Sequence, residues 1–239
     1  MLYYDLHIHS ALSPCGDNDM TPNNIVNMAM LKGLDVIAVT DHNSVGNLRA
    51  IQKLAAAQDI LLLPGMELET AEEIHLLCYF PDVGHAEAFE KELVSYRPAV
   101  KNRIDIFGNQ YLMDERDGVI EDVENLLSMA LSLPVPKAVD LVRNFGGLPV
   151  PAHVDKASYS MISNLGYIPP EYGFSTVELS KKPEARPFAQ AHGLDKAYHL
   201  LQSSDAHYLW DIMERTNVLH ICEKCTNAIL NYLKYFTPV

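Results

Sequence analysis

The chain has 239 residues, of which 48% are hydrophobic and 21% charged, a balance that excludes disordered, collagen-like and coiled-coil architectures. At roughly 150 residues per domain, the length suits one large domain or one domain with an insert. Eighteen Lys and Arg against 31 Asp and Glu give a formal charge of −13; such a surface repels polyanions, so the expectation is no long nucleic acid as a partner.

A bound cation would reverse that sign locally. No apolar N-terminal run follows a basic region, and no apolar stretch approaches the roughly 18 residues of a membrane span. The expectation is a cytoplasmic protein with no membrane partner, in which Cys15, Cys78, Cys222 and Cys225 stay reduced.

Short apolar runs predict strands over 3–9, 35–40, 60–63, 74–80, 148–153, 176–179, 200–204 and 217–221. Thr21-Pro22 opens a helix as cap and first residue, Ile25, Met28, Ala29 and Leu31 give it an apolar stripe, and Gly33 stops it. Asn43-Ser44 caps a second helix over 46–58. Strand alternating with helix argues for parallel βαβ units, and eight strands in this length suggest a barrel. Between 82 and 147 the strand signal fades. That stretch reads as a mostly helical insert, with helices near 83–96, 121–131 and 136–145, the last closed by Gly146-Gly147. Apolar positions 229, 230, 233 and 236 predict a closing helix over 223–236.

The chemistry lies in the ten histidines. In Asp5-Leu6-His7-Ile8-His9, alternation on a strand turns Asp5, His7 and His9 to one face and Leu6 and Ile8 to the other. Thr40-Asp41-His42 ends an apolar strand, where α/β barrels place catalysis; Asp41 alone would serve as a helix cap, but His42 has no such explanation. Leu63-Pro64-Gly65-Met66-Glu67 ends the next strand with a carboxylate, with Glu69 as competitor. His75 sits in an apolar strand, where a lone histidine is more often a core residue than a ligand. Ala152-His153 ends one strand, and Ser204-Asp205-Ala206-His207 spaces two donors by two after another. Imidazole and carboxylate recurring at strand ends suit Zn, Mn or Fe, in a number that exceeds one tetrahedral zinc. Two or three divalent metal ions are implied.

The blocks D-L-H-x-H-S, T-D-H, P-G-x-E, an isolated H, A-H and S-D-A-H run in this order from residue 5 to 207. Together they resemble the PHP (polymerase and histidinol phosphatase) family of metal-dependent phosphoesterases. The resemblance implies a single domain over 1–239, α/β in class, folded as a distorted (β/α)7 barrel with a trinuclear site at its strand ends. It implies nine ligands: His7, His9, Asp17, His42, Glu67, His75, His153, Asp205 and His207. The loop from Ser10 to Pro22 is about three residues longer than is usual in the family. Asp17 fits when counted back from Thr21, while Asp19 competes with it and Cys15 could also reach the site.

By the same resemblance Asp41 orients a ligand imidazole or takes a proton. Lys156, three residues past His153, is placed to hold substrate phosphate, and Arg186, with Lys181 and Lys182, to hold a second anionic group. His85, His192, His199 and His220 match no block, and Cys222-Glu-Lys-Cys225 is at best half a zinc ribbon. The implied reaction is hydrolysis of a small phosphomonoester or nucleotide by metal-activated hydroxide. The alternatives are an exonuclease acting on short oligonucleotides, a metal-dependent amidohydrolase that also uses His-x-His, and a binding module that has kept only the fold.

Overall fold

The computed structural model describes residues 1–235. Its first third runs β1 (Leu2–Ile8), α1 (Pro22–Leu31), β2 (Val36–Val39), α2 (Leu48–Ala57), β3 (Leu61–Leu62), β4 (Gly65–Glu69) and β5 (His75–Tyr79). The middle holds α3 (Val83–Leu93), α4 (Ile104–Phe107), β6 (Tyr111–Met113), β7 (Val119–Asp122) and α5 (Val135–Asn144). The last third runs β8 (Leu148–Pro151), α6 (Met161–Leu165), β9 (Thr176–Leu179), α7 (Ala185–Ala191), α8 (Leu194–Ala197), β10 (His199–Gln202), β11 (Val218–Leu219) and α9 (Thr226–Lys234).

The class is mixed α/β, as expected, but the ladders do not close into one parallel barrel among the described residues. They form four small sheets: β11-β1-β2-β3, β4-β5-β8, β9-β10 and β6-β7. β1, β2 and β3 pair in parallel, as do β9 and β10, whereas β4-β5-β8 is antiparallel throughout. Pro64 is the local cause. It has no N–H to continue β3, and its carbonyl accepts from Phe80 N instead. Glu67 therefore lies inside a new strand, β4, rather than at the end of the preceding one. Single parallel bridges, His42 to Glu67 and Ile8 to Ala206, join the sheets at the polar end.

Two apolar clusters hold the sheets. The larger places Ile25, Ile51, Phe89 and Val139 of the helices against Ile37 and Met66. The smaller lies among the strands, around Leu6, Ala38, Leu77, Tyr79 and Leu201, and α9 closes it with Ile229 and Leu233; position 236 lies outside the described residues. Each such fully buried side chain is worth about 1.5–3 kcal/mol relative to exposure. Thr21 caps α1 by accepting from Asn24 N, with Pro22 in the first turn, as the sequence predicts. Among the described residues no helix is long and apolar enough to cross a membrane.

The segment 82–147 departs from its mostly helical reading. β6 and β7 form a hairpin, and no helix covers 121–131. The buried Gln110 side chain explains this. It donates to Val123 O and Asn125 O and accepts from Leu127 N, taking the backbone groups a helix would use. Asn43 likewise does not cap α2, which begins after Asn47. It adopts φ 50° and ties the polar end together, donating to Leu127 O and Met129 O and accepting from Glu69 N.

Candidate metal centre

A bulge aims the first two histidines. The register of β1 against β2 shifts between Asp5 and Ile8, so Leu6 packs in the smaller apolar cluster and Ile8 in the larger. Simple alternation thus fails here, and a bulge is the usual means of re-aiming a side chain near a site. Asp5 is turned to structure, accepting from Ser204 N, Ser204 Oγ and Met213 N. His7 and His9 bring their Nε2 atoms to 3.2 Å from each other.

Glu67 is the hub. Its Oε1 lies 3.3 Å from His7 Nε2, 2.8 Å from His75 Nδ1 and 3.1 Å from His153 Nε2. Its Oε2 lies 3.3 Å from His9 Nε2 and 3.2 Å from His42 Nδ1. Asp205 Oδ1 closes the other side, 3.3 Å from His7 Nε2 and 3.2 Å from His9 Nε2. His207 stacks on His9 with ring centroids 4.4 Å apart. Three sets of donor atoms lie mutually within 4.8 Å: His7, His9, Glu67 and Asp205; His42, Glu67 and His75; and His9, Cys15, His42 and His207. Asn43, His153 and Asp205 carry φ values of 50°, 29° and 53°. Such left-handed backbone in non-glycine residues costs of order 1–3 kcal/mol and gathers at functional sites.

Without a cation these groups are poorly matched. Burial alone would lower the His7 pKa, yet Glu178, Asp205 and Glu67 hold it well above its ordinary value. Burial opposes protonation of His9 too, but bonds to Asp205 and Glu67 raise it to about 9. Burial drives His42 well below its usual value and His207 down to about 4. Glu67 is held well below the carboxylate range despite its burial, by His75, His7 and His42. The Nδ1 atoms of His42 and His153 are buried without a hydrogen-bond partner. Crowded lone pairs, two carboxylates and orphaned ring nitrogens fit divalent cations, which would take the place of the protons on His7 and His9.

Residues behind the donors fix their orientation. Glu178 of β9, 1% exposed, accepts from His7 Nδ1 at 3.0 Å and from His153 N at 3.0 Å. Sequence reasoning missed it, although an acid inside the apolar strand 176–179 was a readable signal. The Ser13 hydroxyl lies 3.0 Å from His9 Nδ1 and donates to Asp41 Oδ1. Asp41 also accepts from Ser10 N and Ser10 Oγ, so it meets His9 through Ser13.

The cavity over the donors is about 220 Å³, lined in part by Cys15, His75, Lys156, Tyr159, Asp205 and His207. Lys156 pairs with Asp205 at its wall. Tyr159, 46% exposed, stacks on His75 at 4.9 Å. The structure therefore brings together His7, His9, His42, Glu67, His75, His153, Asp205, His207 and Lys156. It does not bring in Asp17, whose Oδ1 accepts from Asp19 N in a local turn, nor Arg186, which is exposed on α7 outside the cavity wall. His85 pairs with Asp82, and His192 Nδ1 lies 2.9 Å from Phe188 O. Cys222 and Cys225 are exposed and free.

The family model described as PHP domain matches residues 5–141, more than half of the chain, and the chain belongs to that family. Two of its curated relatives are named as 5′-3′ exoribonucleases. It is 28% identical over 145 residues to the uncharacterized protein MJ0043 of Methanocaldococcus jannaschii, covering 59% of this chain and 18% of that protein. It is 32% identical over 77 residues to the 5′-3′ exoribonuclease of Haemophilus influenzae, covering 31% of this chain and 27% of that enzyme. The chain spans less than half the length of the curated relatives it matches. The lesion-specific endonuclease PfuEndoQ of Pyrococcus furiosus shares the fold at a TM-score of 0.67 and 19% identity, over 98% of this chain and 56% of that one.

These findings correct the expectation that long nucleic acid is excluded. Endonuclease Q, in complex with a 27-mer duplex bearing an abasic lesion at its active site, matches 87% of this chain and 49% of its own at a TM-score of 0.61 and 20% identity. Net charge was the wrong test. It averages over a surface, whereas an active centre meets only a few phosphates and carries its own cations.

Proposed function

We propose that this chain is a metal-dependent phosphoesterase that cleaves phosphodiester bonds of nucleic acid, as an exonuclease or an endonuclease. The observation that carries the reading is the meeting, over one cavity, of the imidazole–carboxylate donors with a cation, Lys156, and an exposed aromatic ring, Tyr159. Donors and cation suit a phosphate, and the ring suits a base. The exoribonuclease and endonuclease Q relatives support nucleic acid over a small phosphomonoester.

In this reading His7, His9, Glu67 and Asp205 hold one divalent cation. His42 and His207 serve a second, and Glu67, His75 and His153 a third. Zn, Mn or Fe suits this donor set. Cations bound there supply Lewis acidity toward phosphate oxygens and water acidic enough to attack phosphorus near neutral pH. The chain's own groups do the positioning. Glu178 accepts the His7 Nδ1 proton and so points Nε2 into the centre. Ser13 and Asp41 do the same for His9, which makes Asp41 a positioning residue. Lys156 neutralises a phosphate oxygen when it turns from Asp205, and Tyr159 stacks on the base next to the scissile bond. The bridges Ile8–Ala206 and His42–Glu67 support reading the sheets as one distorted barrel, a single domain with 82–147 as its insert.

The test is a substrate panel with metal-reconstituted protein: end-labelled RNA and DNA oligonucleotides, a duplex with an abasic lesion, p-nitrophenyl phosphate and amide substrates. Cleavage of an oligonucleotide that stops with chelator is expected. Turnover of the monoester or the amides alone, or activity surviving chelation, overturns the reading.

A further inference from the structure

The loop between β1 and α1 brings a thiol to the place where the sequence resemblance expects a carboxylate. Cys15 contributes a donor atom within 4.8 Å of those of His9, His42 and His207, and it lines the same cavity. Asp17 joins no such set among the described residues. The Nδ1 of buried His42, 3.2 Å from Glu67 Oε2, makes no hydrogen bond, and an unbonded buried nitrogen on this cavity wall is a place for a ligand.

Cys15 is held there by close packing. A Cβ at Gly16 would stand 2.5 Å from Ser10 O, and one at Gly108 would stand 2.4 Å from Pro14 O. Only glycine at both positions lets the loop fold this tightly. Gly16 N donates to Ser13 O, and Asp17 N to His207 O, so the loop is laced to the segment that carries His207. Asp17 is displaced because its backbone makes this lacing and its carboxylate turns back to Asp19.

We propose that Cys15, as a thiolate, ligates a thiophilic divalent cation together with His42 and His207. On binding, the S–H bond breaks, its proton passes to solvent, and the sulfur pair forms the bond to the cation, with no change of oxidation state. A thiolate is a soft ligand and favours Zn, Fe(II) or Co(II) over Mn or Mg, whereas the two neighbouring donor sets are imidazole and carboxylate only. One corner of the centre is thereby chemically distinct from the others. This inference rests on the metal-centre reading above.

The test uses the full chain carrying Cys222→Ser and Cys225→Ser, which leaves Cys15 as the exposed thiol. Metal-free protein is titrated with Co(II), and bound cobalt is counted by elemental analysis. The expected result is a near-ultraviolet thiolate-to-cobalt absorption and protection of Cys15 from iodoacetamide. Cys15→Ser should lose the band and about one cobalt per chain. Cys15→Asp should regain the cobalt without the band, which separates lost ligation from lost folding. Cobalt bound in full without the band, or a band that survives Cys15→Ser, overturns the role of Cys15 alone. Protein that binds no cobalt overturns the metal centre and this inference together.

Discussion

The donor centre and the stretch 94–120 break the same rule in opposite directions. The centre buries what proteins normally expose: His7 and His9 are fully buried, and Glu67 and Glu178 are 1% exposed. The other stretch exposes what proteins normally bury: Val94, Val100, Ile104, Ile106, Phe107 and Ile120 all face solvent. Buried charge is expensive and is kept only where it is paired or binds a cation. Exposed aliphatics cost little singly. The first departure must therefore be compensated locally, and the second need not be. Substitutions in the centre should abolish function, whereas those in the exposed stretch should leave it nearly intact.

The sharpest way to break the comparison is Glu67→Gln. It removes charge from a side chain that five imidazoles share, leaving Asp205 and Glu178 as the carboxylates against His7 and Asp205 as the one against His9. We expect loss of about 10³-fold in nuclease turnover, corresponding to about 4 kcal/mol, with the circular dichroism spectrum preserved. Retention of a tenth of the activity would show that Glu67 is an ordinary buried acid.

Adding a divalent cation to chelator-treated protein tests the compensation itself. A ligand at 100 to 1,000 times its Kd should stabilise the fold by about 3–4 kcal/mol, read as a rise in Tm. The sign with pH follows from His9. Its pKa in the metal-free state is raised to about 9, so a proton occupies the ligand nitrogen at neutral pH and competes with the cation. Affinity should climb as pH rises toward 9 and fall below it; a flat profile would contradict this.

Glu178→Gln is the next largest effect. It keeps the shape but weakens the acceptor behind His7 Nδ1, and loss of such an orienting partner costs about 10–100-fold in metal affinity or activity. Isothermal titration with Zn(II) would measure it. Glu178 also shows where sequence reading stops. Most of the candidate donors were legible because imidazole and carboxylate sit at the ends of apolar runs, and His75 only through the family resemblance. Of the partners behind them, Asp41 was legible through the family resemblance, whereas the pairing of Glu178 with His7 and the part played by Ser13 were not, because β9 is remote in sequence and a serine is ordinary in type. Glu178 lies 171 residues from His7, and only the packed sheet joins them.

The fold divides in the same way. β1, β2, β3, β5 and β8 to β11 were legible from their apolar runs, and α1 from its Thr21-Pro22 start, whereas β4, β6 and β7 were not. The antiparallel β4-β5-β8 sheet was not, because pairing direction leaves no trace in hydropathy. Gln110 was equally hidden. One buried amide 13 residues from its partner Val123 decides that 121–131 stays non-helical, and no local propensity reports that.

Tyr159→Ala probes the rim of the donor cavity. Loss of a stacking surface costs about 1–3 kcal/mol per base, which should raise KM for an oligonucleotide and leave kcat and metal content unchanged. An equal rise for p-nitrophenyl phosphate, which carries no nucleobase, would show that the ring serves His75 rather than substrate.

The smallest effect belongs to the exposed stretch. Ile106→Ser and Phe107→Ser remove aliphatic and aromatic surface that is 56% and 42% exposed, so each should shift stability by no more than about 0.5 kcal/mol. The following residue sets the limit of that tolerance. Gly108 stands at φ 94°, and a Cβ there would meet Pro14 O at 2.4 Å, beside Cys15. Gly108→Ala should therefore disturb the donor centre from outside it, lowering cobalt occupancy in the same titration. If Gly108→Ala proves as silent as Ile106→Ser, the exposed stretch is not a support for the loop that carries Cys15, and the boundary between the two regions lies nearer the histidines.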